Sequence, residues 1–159
     1  MRCTLAILSS ALALAITRVA AEEDFLAQCQ NDNPDVAIPA CTTLIEGGKT
    51  DIAVLPRIIA HRGDAFARKY DYWRAIKDYN HAIKLRPTFW IAFNGRGFAH
   101  ANSLNFELAI KDYDQSIKLH PDNAVALYRR GLAKFGLCDI DGADADIAKA
   151  REMDPAVGN

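Results

Sequence analysis

The sequence predicts an all-α protein, an α-solenoid of three 34-residue helix-turn-helix repeats with a short helical N-terminal appendage. Two segments carry this prediction: AIKDYNHAIKLRP, which begins at Ala75, and AIKDYDQSIKLHP, which begins at Ala109, are identical at nine of thirteen positions. The same offset of 34 residues separates three Arg-Gly pairs along the chain. A period of this length is typical of helical hairpins that bury their apolar faces against one another.

Each repeat carries the signals of two helices. In the second repeat, Phe106, Ala109, Ile110, Tyr113 and Ile117 recur three or four residues apart, which places them on one face of an α-helix. A polar residue precedes each second helix, where it can cap the free N–H groups, and a proline ends each repeat because it cannot continue a helix. The predicted caps are Asp71, Asn105 and Asp139, and the terminating prolines are Pro87, Pro121 and Pro155.

This pattern resembles the tetratricopeptide repeat (TPR) family over residues 56–155. The three repeats, at residues 56–89, 90–123 and 124–157, share the family's Gly at position 8 and Ala at position 20, and the first two carry its aromatic residue at position 24. These residues are Gly63, Gly97 and Gly131, then Ala75, Ala109 and Ala143, then Tyr79 and Tyr113, with Ile147 in the third repeat. The sequence departs from the family in the turn between the helices, where Tyr70, Leu104 and Cys138 replace the usual glycine.

Residues 1–21 predict a secretory signal peptide. A positive start is followed by an apolar run from Leu5 to Ile16 and by small residues at Val19, Ala20 and Ala21. The alternative is an uncleaved anchor, but the run is shorter than the roughly 20 residues that a spanning helix needs, so no stable membrane span is expected after cleavage. Beyond residue 21, Cys29 before the turn at Pro34 and the stretch Ala40-Cys41-Thr42 after it resemble the leader region of short exported bacterial TPR proteins, which implies a periplasmic or secreted protein.

Residues 22–55 predict a helical appendage, a degenerate half-size unit that caps the first repeat. We expect a helix over residues 22–30, a turn at residues 31–34 and a second helix that ends before Gly47, with its start left open by Pro39. Cys29 and Cys41 flank the turn, and in an oxidising compartment they predict a disulfide, with two buried free thiols as the alternative. Cys138 remains, as a partly buried inert thiol or, alternatively, in an intermolecular pair.

The chain carries no catalytic motif, and its four histidines lack the spacing of a metal site. We therefore predict no enzymatic activity, no cofactor and no metal. A formal net charge of −1 suggests neither nucleic acid nor an anionic membrane as partner. Lysines alternate with acids, as in Lys77-Asp78 and Lys111-Asp112, which is typical of a solvated helix face and not of a phosphate-binding stripe.

The resemblance implies a concave groove, lined by the first helices, that receives a protein or peptide. A clamp for a C-terminal carboxylate is not predicted, because its positions include Ala60, Asp64 and Val125. The alternative for every groove residue is packing against the neighbouring helix. The groove candidates are Arg57, Asp64, Arg68, Asn94, Phe98, Asn102, Tyr128, Leu132 and Phe135.

The predicted function is therefore that of an exported TPR adaptor or scaffold that binds a protein or peptide partner. The alternative is a structural protein of the cell envelope that associates weakly with itself. In the third repeat, Asp144 and Arg151 replace isoleucines of the earlier repeats, so we expect residues 139–153 to form the exposed last helix of the solenoid.

Overall fold

A computed structural model describes residues 23–48 and 50–158, all of whose regular elements are α-helices. The predicted signal peptide lies outside the described residues. The predicted repeat starts, residues 56, 90 and 124, fall at the beginnings of three of these helices. The helices are α1 (residues 23–29), α2 (Pro34–Glu46), α3 (Leu55–Arg68), α4 (Tyr72–Leu85), α5 (Trp90–Asn102), α6 (Phe106–Leu119), α7 (Ala124–Gly136) and α8 (Ile140–Met153).

The helices stack as consecutive hairpins. α3 pairs with α4, α5 with α6 and α7 with α8, and the second helix of each pair also packs on the first helix of the next. The first helices α3, α5 and α7 contact one another along the stack, whereas the second helices do not. The stack is therefore curved, with the first helices on the concave side and the second helices on the convex side.

In each hairpin, a large side chain of the second helix packs against a glycine of the first helix. A Cβ added to Gly97 would lie 2.8 Å from the ring of Tyr113, and one added to Gly63 would lie 3.0 Å from the ring of Tyr79. Both tyrosines are buried, with 1% of their surface exposed. The repeated glycine therefore lets the two helices approach closely enough to enclose the tyrosine ring.

The appendage is a helical pair joined by a disulfide between Cys29 and Cys41, as the sequence predicts. Both cysteines are buried. α2 begins at Pro34, where the Asn33 side chain accepts a hydrogen bond from the backbone N–H of Asp35. Pro39 therefore lies inside the helix rather than at its start.

Two of the three predicted caps form. Asp71 accepts from the N–H of Arg74 and Asp139 from the N–H of Gly142. The prediction for Asn105 is wrong: this side chain makes no capping bond, and its amide instead donates to the carbonyl of Ser103. A cap that the sequence analysis missed is Asn123, which accepts from the N–H of Ala126 at the start of α7.

The turn inside each hairpin keeps a left-handed backbone although it lacks glycine. Tyr70, Leu104 and Cys138 have φ of 60°, 61° and 61°. Such a conformation brings Cβ close to the following carbonyl and costs about 1–2 kcal/mol for an ordinary residue. It also turns the side chain outward, so that Cys138 is exposed, and the prediction of a partly buried thiol is wrong.

Replacing Leu104 with glycine should stabilise the protein by about 1 kcal/mol, because glycine adopts this backbone without the steric cost. The Leu104 side chain is 76% exposed, so little packing is lost. Urea-induced unfolding would measure the change. Leu104→Ala is the control: it removes the same side chain but retains Cβ, and an equal gain for alanine would contradict the explanation.

A ladder of arginines ties each hairpin together and joins it to the preceding unit. Arg96 Nε and Nη2 donate to both carboxylate oxygens of Asp112, at 2.9 and 2.6 Å, and its Nη1 reaches Asn80 of the preceding repeat at 2.6 Å. The aspartates are buried, so the interpretation of Lys-Asp alternation as a wholly solvated face is wrong for its acids. The equivalent pairs are Arg62 with Asp78, joined to Thr42, and Arg130 with Asp146, joined to Asp114.

α8 forms the outer end of the stack. Asp144 and Arg151 are both exposed, as expected for the last convex helix. Beyond α8 the chain folds back, and Val157 packs on Leu127 and Ala150. Within the described residues, every helix is too short or too polar to cross a membrane.

Candidate functional site

Two adjoining cavities follow the concave side and form one groove. The first, of about 480 Å³, lies between α3 and α5, and the second, of about 590 Å³, lies between α5 and α7. Phe98, Asn102 and Arg129 line both cavities. A concave site with apolar walls and a few polar groups is the usual form of a binding site.

The first half of the groove is polar. The Tyr79 hydroxyl donates to Asp64 Oδ1 at 2.6 Å. Gly95 faces this pair, and a Cβ there would lie only 2.6 Å from the Tyr79 ring, so glycine leaves the tyrosine its place. Arg68, Tyr70 and Tyr72 also line this half.

Burial dominates the electrostatics of the polar half. It raises the pKa of the Asp64 carboxyl, against the lowering effects of the hydrogen bond from Tyr79 and of nearby His61. Burial also raises the pKa of Tyr79, and it lowers the pKa of His61. The folded state therefore holds the charged form of Asp64 at some cost in free energy.

Replacing Asp64 with asparagine should stabilise the protein at neutral pH by less than about 1 kcal/mol. The gain is small because 37% of the side chain remains exposed. The sign follows from the raised pKa: ionised Asp64 disfavours folding at neutral pH, and this cost disappears as the pH falls through the folded pKa towards the unfolded one. Urea unfolding of both proteins from pH 7 to pH 4 should show the difference shrinking, whereas a constant or growing difference would contradict it.

The second half of the groove is apolar. Phe98, Phe106 and Val125 form its walls, and Leu132 lies 49% exposed along it. Tyr128 lies at the far end, where it packs against the cluster that contains Val157 and where Gly158 approaches its ring. This half can bind an apolar side chain.

Arg129 lies where the two halves meet. Its guanidinium stacks over the Phe98 ring, 4.8 Å from the centroid, and it forms no hydrogen bond or ion pair with any described residue. Its charge also lowers the pKa of Asp64 across the groove. Arg129 is not among the candidate groove residues because it is the sixth residue of its repeat, and the groove positions taken from the family do not include the sixth. The glycine at the same position of the second repeat, Gly95, is the signal that this position faces the groove.

Six of the nine predicted groove residues line the cavities, and three do not. Asn94 does not line them, and its Oδ1 atom is buried without a hydrogen-bond partner among the described residues. Arg57 and Phe135 are exposed outside the two cavities. The six that line the groove are Asp64, Arg68, Phe98, Asn102, Tyr128 and Leu132.

The described residues bring together no group of three or more side chains that could hold a metal ion. The charged and amide groups of the groove are instead the carboxylates of Asp64 and Asp154, the guanidinium groups of Arg68 and Arg129 and the amide of Asn102, which suit hydrogen bonding and charge pairing with a ligand.

No protein-family model matches the chain, and no curated protein sequence matches it. Solved structures do. MamA from Desulfovibrio magneticus RS-1 is 24% identical with a TM-score of 0.71, over 89% of this chain and 76% of that chain. The Sgt2 TPR domain from Aspergillus fumigatus is 27% identical with a TM-score of 0.62, over 65% and 69%. The second TPR domain of human RPAP3, in complex with the HSP70 peptide SGPTIEEVD, is 27% identical with a TM-score of 0.60, over 65% and 89%.

The hairpin stack, the interlocking glycine and tyrosine positions and these similarities agree. The protein is a tetratricopeptide repeat solenoid, built from three full repeats and an N-terminal helical pair.

Proposed function

We propose that this protein is an exported adaptor whose concave groove binds a segment of a partner protein. The observation that carries the proposal is the two-part groove, in which an apolar wall adjoins an arginine without an internal partner. An apolar anchor and an anionic group on one ligand segment would satisfy both halves.

The RPAP3 domain, which shares this fold, was solved with a peptide bound. That similarity supports peptide binding here, but the groove chemistry is particular to this chain. Ala60, Asp64 and Val125 occupy positions that a carboxylate clamp would fill with donors. The proposed ligand is therefore held by its side chains rather than by a chain terminus.

Export is proposed from the predicted signal peptide, and the disulfide supports it. Structural disulfides such as that between Cys29 and Cys41 persist in oxidising compartments and are rare in the cytosol. The sequence carries no recognised catalytic motif, so we propose an adaptor without enzymatic activity.

A second candidate function is self-association as a structural protein of the envelope. Phe135 and Ile140, which are 53% and 45% exposed, favour it because they leave an apolar surface at the end of the solenoid.

Site-specific photocrosslinking in living cells tests the groove. The photoreactive residue benzoylphenylalanine replaces Leu132, which lies in the groove and is 49% exposed. The matched control places it at Leu108 on the outer helix α6, where the leucine is 46% exposed. We expect an adduct with another protein from position 132 that position 108 does not give, and that Arg129→Ala weakens.

Identical adducts from both positions, or an adduct from position 108 alone, would contradict groove binding. An adduct of the protein with itself from position 132 would establish the self-association alternative. Each outcome is read by mass spectrometry of the crosslinked band.

A further inference from the structure

Four lysines occupy the same two repeat positions on neighbouring convex helices. Lys77 and Lys84 lie seven residues apart on α4, and Lys111 and Lys118 lie seven residues apart on α6, so each pair is separated by about 10 Å along its helix. All four are exposed, and none forms an ion pair with a described residue. We call these four residues the lysine patch.

The arginine ladder binds most of the acids that alternate with the lysine patch. Asp78 and Asp112 are 5% exposed and bonded to Arg62 and Arg96. Asp114 lies on the surface but pairs with Arg130 at 2.6 Å. Glu107 is the acid of α6 that stays exposed and unpaired within the described chain.

The lysine patch stops at the last convex helix. The two positions equivalent to the lysines carry Ala145 and Glu152 on α8, and Asp141 and Asp144 are exposed on the same helix. On the other side, Asp35 of α2 is paired with Lys69 at 2.6 Å. The lysine patch is therefore confined to α4 and α6.

Exposed aromatic and apolar side chains accompany the lysine patch. Trp73, one turn before Lys77, is 72% exposed, and the Lys77 ammonium lies 5.7 Å from the centroid of its ring. Leu108 is 46% exposed on α6. Tryptophan is among the residue types enriched where proteins meet the headgroup region of a membrane.

We infer that the lysine patch, with Trp73 at its edge, docks the convex face of this protein on a membrane that carries anionic headgroups. Each lysine near such a surface is attracted to headgroup phosphates, and the flat indole of Trp73 enters the interface. The groove lies on the opposite, concave side and stays free, so this inference does not depend on the proposed ligand.

The net charge of the whole chain conceals this surface. Residues 56–89 contain eight basic and three acidic residues, whereas residues 22–55 contain one basic and seven acidic residues. At physiological ionic strength charges are screened beyond about 8 Å, so a surface responds to nearby charges and not to the sum over the chain. The expectation that no anionic membrane is a partner was based on the net charge of the whole chain, which does not describe this surface.

The test is sedimentation of the purified, exported protein with vesicles of phosphatidylcholine alone or mixed with phosphatidylglycerol. We expect binding that requires phosphatidylglycerol and weakens with added salt. Lys77→Glu with Lys111→Glu should weaken it at least about 30-fold, since two attractive charges are lost and two repulsive ones are introduced. Lys149→Glu with Arg151→Glu on α8 is the matched control, with the same charge change on the same side, and should weaken binding no more than a few-fold.

Trp73 gives a second readout. In a Trp90→Phe variant it is the remaining tryptophan, and its emission should shift to shorter wavelength with anionic vesicles. Absence of binding at low salt, equal loss in both charge-reversal pairs, or binding without a shift of Trp73 would overturn the inference. Binding of an acidic protein by the lysine patch, without vesicle binding, would overturn it in favour of a protein partner. Unchanged melting temperatures establish that the variants remain folded.

Discussion

Replacing Arg96 with methionine should lower the free energy of unfolding by about 3 kcal/mol. The guanidinium donates to both oxygens of Asp112, and its removal leaves a carboxylate that is only 7% exposed without its main partner. The loss of its bond to Asn80 also weakens the junction between the first and second repeats. Equilibrium unfolding in urea measures the change.

Two companion variants separate the buried charge from the lost side chain. Arg96→Met with Asp112→Leu should recover most of the stability, because an apolar pair leaves no unpaired charge behind. Lys111→Met, an exposed position on the same convex side, should change stability by less than about 0.5 kcal/mol. A loss below about 1 kcal/mol for Arg96→Met, or no recovery in the double variant, would show that the ladder contributes little.

Replacing Cys29 and Cys41 together with alanine should destabilise the appendage by about 3 kcal/mol on the chain-entropy model, given a separation of 12 residues. The effect should be local, because α1 packs against the rest of the protein through a small hydrophobic cluster around the disulfide. Hydrogen exchange should therefore rise in α1 and α2 before it rises in α5 to α8.

Cys138→Ala is the control for this pair, since the thiol is exposed and unpaired in the described structure. It should leave both the unfolding midpoint and the exchange pattern unchanged. Uniform acceleration of exchange across all helices in the double variant would show instead that the appendage and the repeats unfold as one unit.

The repeat period predicted the helices well, because hairpins that stack on one another need the same kinds of residue at the same spacing in each repeat. The disulfide was also predictable, since the two cysteines flank a turn between two helices in a chain predicted to be exported. The cap at Asn105 was not, because a short amide can satisfy an adjacent carbonyl as readily as a helix N-terminus. The exposure of Cys138 depended on a left-handed backbone that its residue type does not signal.

The groove was less predictable than the fold. Positions taken from the family placed Phe98, Asn102 and Leu132 on the groove wall, where the structure has them. Asn94 does not line the groove and its Oδ1 atom is buried, whereas Arg129 lines both halves of the groove. Neither outcome follows from the position of the residue within its own repeat, because the groove is formed by several repeats together.

The amino-acid pattern alone specified the period, the helix faces and the close contacts of small residues, because these depend on neighbours within one hairpin. The tertiary packing determined which charged side chains form pairs. The partners of Arg96 are 16 residues away in both directions along the chain. Pairing with the arginines removes the acids from the surface, while the lysines stay exposed there. A sequence shows both signs of charge side by side, but only the folded chain separates the buried acids from the exposed lysines, since burial and pairing are properties of contacts distant in sequence.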